Sequence, residues 1–130
     1  MQRYVGRFMS PTGNVQKELV VSPDGSFVWT LHSHFQTPSG PSQATGEVRA
    51  DGDILWLDVA TNAGANPDLK LTLFRTEDRR LLVPMSQVER YVETPDLSLG
   101  LLELHDGEQS ALEVSMEIQA RQRMAEILGD

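Results

Sequence analysis

The chain has 130 residues, no cysteine and a formal net charge of −8 at pH 7. This length fits a single domain over residues 1–130. The excess of acidic residues disfavours binding to nucleic acids and anionic membranes, because those partners are bound by clustered Lys and Arg. The absence of cysteine excludes disulfides, a thiol nucleophile and thiolate metal ligands.

The N-terminal residues lack the apolar stretch of a signal peptide, and no apolar run approaches the length of a membrane span. We therefore expect a cytoplasmic protein. A periplasmic location is expected instead if a longer precursor is processed.

Residues 2–9 alternate in the way that predicts a first strand. A hairpin follows, with strands over 16–21 and 26–35 joined by the turn sequence Ser-Pro-Asp-Gly. In its first strand Lys17, Leu19 and Val21 share one face. In its second strand one face carries the aromatic and aliphatic residues Phe27, Trp29, Leu31 and Phe35, and this face is assigned to the core.

Four more strands are predicted before residue 85, over 43–49, 54–61, 68–75 and 81–84. Turn sequences rich in Gly, Asp, Asn and Pro separate them, and no strand–helix–strand alternation occurs. Short strands at this spacing are typical of an antiparallel barrel or sandwich.

The pattern changes after residue 85. Residues 85–92 have helical spacing, and 97–104 is an apolar run. The segment from about 110 to 128 is rich in strong helix formers and begins with a capping-box sequence, which predicts a helix. An alternative is a strand over 111–119 followed by a short helix, because apolar and polar residues alternate strictly there.

The predicted fold is therefore mainly β. It is an antiparallel up-and-down barrel, or a strongly bent sheet, of seven to nine strands over residues 2–105 with a C-terminal helix. As a helix, the C-terminal segment has two apolar arcs. One arc can cover the barrel, and the other predicts a homodimer through this segment unless both arcs fold onto the same chain.

Three stretches carry a recognisable pattern of glycine followed by aromatic or aliphatic residues: Tyr4-Val5-Gly6-Arg7-Phe8, Asp24-Gly25-Ser26-Phe27-Val28-Trp29, and Gly46 followed by Gly52-Asp53-x-Leu55-x-Leu57. Over residues 3 to about 84 the chain resembles the small bacterial lipocalin-like (calycin) barrels. It is also somewhat similar to the barrel of envelope copper-homeostasis lipoproteins, but it lacks their cysteines, so copper binding does not carry over. The resemblance implies an antiparallel barrel with a ligand-sized interior and no catalytic residue. Gly6 and Phe8 would form its barrel-closing plug, unless Gly6 only permits a bend in the strand.

Two histidines, His32 and His34, lie on one strand face and are the candidate metal ligands. They fall opposite the core face of that strand, and no third ligand is evident beside them. We therefore expect exposed histidines, no metal and no cofactor. No sequence signature of an enzyme is present, and whether the chain is an enzyme stays open with the balance against it.

The first functional hypothesis is a non-catalytic binding protein that takes a small apolar ligand or a protein partner. The predicted barrel lining is Phe8, Trp29, Leu31, Trp56 and Leu71. Trp56 lies on the more polar face of its strand, so it could instead stand at a ligand mouth, at a partner interface, or under the C-terminal segment. The alternatives are an acidic inhibitor or immunity-type module that neutralises a basic partner, and a small enzyme with its site in the barrel.

Overall fold

Eight antiparallel strands close into a barrel in a computed structural model that describes residues 2–11, 15–33, 42–65 and 67–128. Each strand pairs with its neighbours in sequence, and the last strand pairs with the first. The strands are β1 (Gly6–Met9), β2 (Val15–Val21), β3 (Ser26–Ser33), β4 (Ser42–Asp51), β5 (Ile54–Asn62), β6 (Lys70–Thr76), β7 (Arg79–Pro84) and β8 (Leu101–Leu104). The prediction of a mainly β antiparallel barrel is thus confirmed.

Two α-helices, α1 (Val88–Glu93) and α2 (Ala111–Leu128), follow the seventh and eighth strands. Short 3-10 turns occupy Gln2–Tyr4, Met85–Gln87 and Leu97–Leu99. The predicted first strand over 2–9 was therefore too long. Its beginning is a 3-10 turn, and the strand starts at Gly6, whose φ of +148° disfavours other residues. Residues 34 and 35 of the predicted second hairpin strand lie outside the described residues.

The C-terminal segment is a helix, so the alternative of a strand over 111–119 is wrong. The Ser110 hydroxyl accepts a hydrogen bond from the Glu113 amide at 3.2 Å and caps its first turn. Val114 and Ile118 are buried, whereas Leu112 and Met116 are exposed, which is the spacing of a helix and not of a strand. A strand here would also lack a partner, because β1 and β7 occupy both edges of β8.

The apolar residues form two separate cores. The interior core fills the barrel and contains Phe8, Leu19, Phe27, Trp29, Leu55, Leu71, Leu82 and their neighbours. The outer core lies between the barrel wall and the two helices and contains Met9, Leu81, Val83, Tyr91, Leu102, Val114 and Ile118 among others. Both faces of β7 and β8 are therefore buried, which explains their nearly continuous apolar sequences.

The two ends of the barrel differ in the length of their connections. At one end, here called the turn end, β2–β3, β4–β5 and β6–β7 are joined by two to four residues. At the other, called the loop end, the strand ends Met9, Val15, Ser33, Ser42, Asn62, Lys70, Pro84 and Leu101 come together, and five to sixteen residues separate consecutive strands. Long connections are where binding residues concentrate in many folds.

Candidate binding site

Three of the five predicted lining residues lie in the barrel interior. Phe8, Trp29 and Leu71 are each fully buried and belong to the interior core. Leu31 lies two residues from Trp29 on β3, nearer the loop end, and is half-buried against the same core. Its strand neighbours are Lys17 on β2 and Ser42 on β4. Leu31 therefore stands where the apolar interior gives way to polar residues.

Trp56 lies on the outer wall of the barrel. Its neighbours on β5, Leu55 and Leu57, are buried in the interior core, so the indole between them points outward. The guanidinium of Arg49 and the ammonium of Lys70 lie 5.0 and 5.3 Å from its ring centroid. These cation–π contacts come from β4 and β6, not from the C-terminal segment.

The turn end is closed by one arginine. The Arg80 guanidinium lies 4.9 Å from the centroid of the Phe8 ring and donates a hydrogen bond to the Val5 carbonyl at 2.7 Å. A Cβ at Gly6 would come within 2.6 Å of Arg80 Nη2, so glycine leaves the space that the guanidinium needs. Gly6, Phe8 and Arg80 thus pack together at the turn end in a group that is here called the plug, and the sequence pattern did not single out Arg80.

Glu103 neutralises the charge of Arg80 at this plug. Its carboxylate accepts hydrogen bonds from Arg80 Nε at 3.1 Å and from Nη2 at 2.9 Å, and both side chains are largely buried. Burial alone would raise the pKa of Glu103, but the hydrogen bonds from Arg80 outweigh it and hold that pKa below its usual value. The Glu103 carboxylate is therefore ionised at neutral pH.

The loop end carries a small cavity of about 150 Å³. Its lining mixes polar and apolar groups: Ser10, Lys17, Asp68, Pro84, Ser98, Leu99, Gly100 and Leu101. Lys17 shares the inward phase of β2 with buried Leu19 and Val21, and its ammonium lies 3.3 Å from the Asp68 carboxylate. A charged residue on an otherwise apolar strand face was the sequence signal that could have located this site.

A polar group inside the barrel lacks a partner among the described residues. Trp29 is fully buried, and its indole N–H makes no hydrogen bond to the part of the chain that the structure describes. Buried donors are nearly always paired, because an unmade hydrogen bond costs about 1–3 kcal/mol. The packed interior therefore contains a hydrogen-bond donor that no described residue uses.

A larger groove of about 680 Å³ lies at the turn end, and its lining includes Gly6, Arg80 and Glu103 as well as Arg7. Its two arginines are already engaged. Arg7 pairs with Glu18 at 2.7 Å and also donates to the Glu108 carbonyl, while Arg80 is held by Glu103. The groove therefore offers a ligand no unpaired arginine, and its size alone does not make it the better site.

Only one of the two predicted metal ligands, His32, lies in the described part of the chain. His32 is half-exposed, with Nε2 3.8 Å from Glu18 Oε1. His34 lies outside the described residues. Among the residues that the structure describes, no group of three or more His, Cys, Asp or Glu side chains is placed to hold a metal ion.

No family model matches the chain, and searches of the curated proteins and of the solved structures return no match. The closed eight-strand barrel with its C-terminal helix is consistent with a calycin-like fold. No helix in the described part of the chain is long and apolar enough to cross a membrane.

Proposed function

We propose that this protein is a non-catalytic binding protein that takes a small, largely apolar ligand into its barrel from the loop end. The observation that carries the proposal is the unpartnered indole N–H of Trp29 within the interior core. An apolar guest with one hydrogen-bond acceptor would satisfy this donor, and the apolar interior would favour the rest of the molecule.

The size of the ligand follows from the loop-end cavity. A cavity of about 150 Å³ is well below the ~300–1,000 Å³ of drug-sized sites, but it has room for a benzene-sized guest, and its mixed lining suits a guest that carries one polar group. The Lys17–Asp68 pair, with the lysine side chain 43% exposed, stands at the cavity and can separate at little cost.

The indole N–H resonance of Trp29 provides a direct test. The chain has two tryptophans, so a Trp56→Phe variant leaves Trp29 as the single indole signal in a nitrogen–proton correlation spectrum. Acetophenone and ethylbenzene are a matched pair of ligands, similar in size but with and without a carbonyl acceptor.

We expect a saturable shift of the Trp29 signal with acetophenone and a smaller one with ethylbenzene. In a Trp29→Phe variant, which keeps an aromatic ring but lacks the donor, the binding preference for the ketone should disappear. Medium-chain fatty acids extend the panel toward longer guests. If no ligand of the panel shifts the Trp29 signal, the proposal fails.

A second candidate function is the binding of a protein partner. It is favoured by exposed apolar residues on α2, including Met116, Met124 and Ile127, which are 60, 54 and 71% exposed. The acidic inhibitor alternative draws on the net charge of −8, the small size and the missing catalytic signature, and solubility also explains the charge.

A further inference from the structure

Lysine is rare in this chain, and one of its two lysines lines the loop-end cavity. Nine of the eleven basic residues are arginines, and the lysines are Lys17 and Lys70. Lys70 lies on the outer wall with its ammonium over the Trp56 ring, whereas Lys17 belongs to the cavity lining. An arginine side chain stays protonated, but a lysine amine becomes a nucleophile when it loses its proton. Lys17 therefore gives the cavity a chemical property that an arginine would not.

The backbone of Lys17 is fixed on both sides near the loop end of β2. Its amide donates a hydrogen bond to the Ser10 hydroxyl at 2.8 Å, and its carbonyl accepts one from the Ser10 amide at 2.9 Å. Ser10 is itself buried. Lys17 shares the inward phase of β2 with Leu19 and stands opposite Leu31 on β3. Its amine therefore extends from a fixed strand beside the edge of the apolar interior.

The Asp68 carboxylate faces the Lys17 amine from the connection between β5 and β6. Lys17 Nζ lies 3.3 Å from Asp68 Oδ2. This is longer than the ~2.7–2.9 Å of a tight charge-assisted hydrogen bond, and proton-transfer pairs are often this long before a substrate binds. Asp68 is therefore placed to accept a proton from Lys17 and to remain beside its nitrogen afterwards.

The ion pair discriminates between three classes of polar guest. A carboxylate would compete with Asp68 for the ammonium, and an amine would compete with Lys17 for the carboxylate. Each exchange replaces one partly exposed ion pair by another, and such pairs contribute only about 0–1 kcal/mol. An aldehyde instead converts the amine into an iminium ion of the same charge, so the pair with Asp68 is kept and a covalent bond is added. An aldehyde is therefore the guest that this pair favours most.

We propose that Lys17 binds small apolar aldehydes covalently as a protonated Schiff base, with Asp68 as its counter-ion. The inference rests on the proposed function, because it takes the loop-end cavity as the ligand site. Pro84, Leu99 and Leu101 provide apolar lining for the remainder of the guest. The cavity volume of about 150 Å³ limits that guest to roughly the size of benzaldehyde.

The covalent step is a condensation that releases one water molecule. Asp68 takes a proton from the ammonium, and the neutral amine adds its lone pair to the carbonyl carbon while the π electrons of the C=O bond move to oxygen. A proton then moves from nitrogen to that oxygen. Asp68 returns its proton to the resulting hydroxyl group, which leaves as water while the nitrogen lone pair forms the C=N bond. Ammonium and aldehyde thus give iminium and water, with the total charge unchanged and no net oxidation.

Reductive trapping followed by peptide mapping tests the proposal. The chain is incubated with benzaldehyde and sodium cyanoborohydride, which reduces an iminium to a stable benzylamine on the residue that formed it. Lys70 is the internal control, because both lysines are half-buried and exposure alone does not predict a difference in their labelling. We expect Lys17 to be labelled at least tenfold faster than Lys70. Equal rates would show unselective reaction of surface lysines and would overturn the proposal.

Three variants separate the roles of the two partners, and circular dichroism verifies that each is folded. Lys17→Arg keeps the positive charge but lacks the amine, so only the slow labelling of Lys70 should remain. Asp68→Asn keeps the size of the side chain but removes the counter-ion, so it should slow the labelling of Lys17 at least tenfold and leave that of Lys70 unchanged. Asp68→Glu retains a carboxylate and should restore most of the rate. An Asp68→Asn chain that labels Lys17 at the natural rate would rule out Asp68 as the proton acceptor and counter-ion.

A failure of this inference can be distinguished from a failure of the proposed function. If acetophenone shifts the Trp29 indole signal but benzaldehyde leaves Lys17 unlabelled, the ligand site stands and the covalent step is wrong. If Lys17 is labelled selectively but no ligand shifts the Trp29 signal, the covalent site stands and binding in the barrel interior is wrong.

Discussion

Replacing Glu108 with glutamine should destabilise the fold, because this carboxylate holds a buried arginine. Both carboxylate oxygens of Glu108 accept hydrogen bonds from Arg79 at 2.6 Å, and one also accepts the His105 amide at 2.6 Å. Arg79 is only 9% exposed and otherwise donates to the Glu103 carbonyl. The pair ties β7 to the segment that leads into α2.

The expected loss is about 2–3 kcal/mol in the free energy of unfolding. Removing one partner of a buried ion pair costs about 3–5 kcal/mol, and this value is reduced here because the Glu108 side chain is 28% exposed and water can replace part of its contacts. For a domain of this size the loss lowers Tm by roughly 10 °C. Glu93→Gln, a neutralised glutamate exposed on α1, should change stability by less than ~0.5 kcal/mol.

The effect should also depend on pH in a defined direction. The hydrogen bonds from Arg79, followed by that from the His105 amide, lower the pKa of Glu108 to about 2, against an ordinary value of 4.5. A depressed carboxylate pKa stabilises the fold fully above the unfolded value, and this stabilisation is lost as the pH falls through the folded value. The stability gap between the natural chain and Glu108→Gln should therefore be constant at pH 6–8 and close between pH 4.5 and 2.

Urea unfolding followed by tryptophan emission measures this gap at each pH, since Trp29 is fully buried in the fold. A gap below ~0.5 kcal/mol at pH 7 would mean that the Arg79–Glu108 pair contributes little. A gap of the expected size that does not change down to pH 2 would show that the loss arises from altered packing and not from the charge.

Four further substitutions, one of them a control, test the interior and the wall of the barrel. Leu31→Asp should cost about 1–3 kcal/mol in a thermal melt, because it replaces an apolar contact at the edge of the interior core by a half-buried carboxylate, whose cost the opposite residue Lys17 partly offsets. Gly46→Ala should prevent normal folding, because its Cβ would lie 2.0 Å from the Asp58 carbonyl oxygen. Gly52→Ala is the control: its Cβ meets no atom within 4 Å, and it should lower the free energy of unfolding by about 1 kcal/mol because Gly52 has a positive φ. Trp56→Phe should lower urea stability by at most ~1 kcal/mol, because it weakens only exposed cation–π contacts.

The strands were predictable because their signals are local. Alternation and turn residues locate most strands to within a few residues, and Asp24 illustrates why: its carboxylate accepts hydrogen bonds from both the amide and the hydroxyl of Ser26, so the turn sequence fixes its own hairpin. The strict alternation over 111–119 was ambiguous for a different reason. A helix with apolar residues on two opposite sides can mimic a strand, and the filled edges of β8, which the local sequence does not reveal, leave a strand there without a partner.

The binding site was only partly predictable because it depends on contacts between distant residues. Phe8 and Trp29 follow from strand phase alone. The plug formed by Arg80 and Glu103 joins residues 23 positions apart, and the Lys17–Asp68 pair spans 51 positions. No local pattern specifies such pairs, since they depend on which strands become neighbours when the barrel closes.

The distribution of these ion pairs indicates how a ligand would reach the interior. Four pairs hold the turn end in the described residues: Arg3–Asp53, Arg79–Glu108, Arg80–Glu103 and Arg121–Glu77. Opening the plug there would leave the charges of Arg80 and Glu103 largely buried and unpaired, which costs several kcal/mol. At the loop end the Lys17–Asp68 pair is half-exposed and contributes at most about 1 kcal/mol. Among the described residues, ion pairs therefore oppose opening at the turn end by several kcal/mol more than at the loop end, which agrees with the proposed entry of a ligand at the loop end.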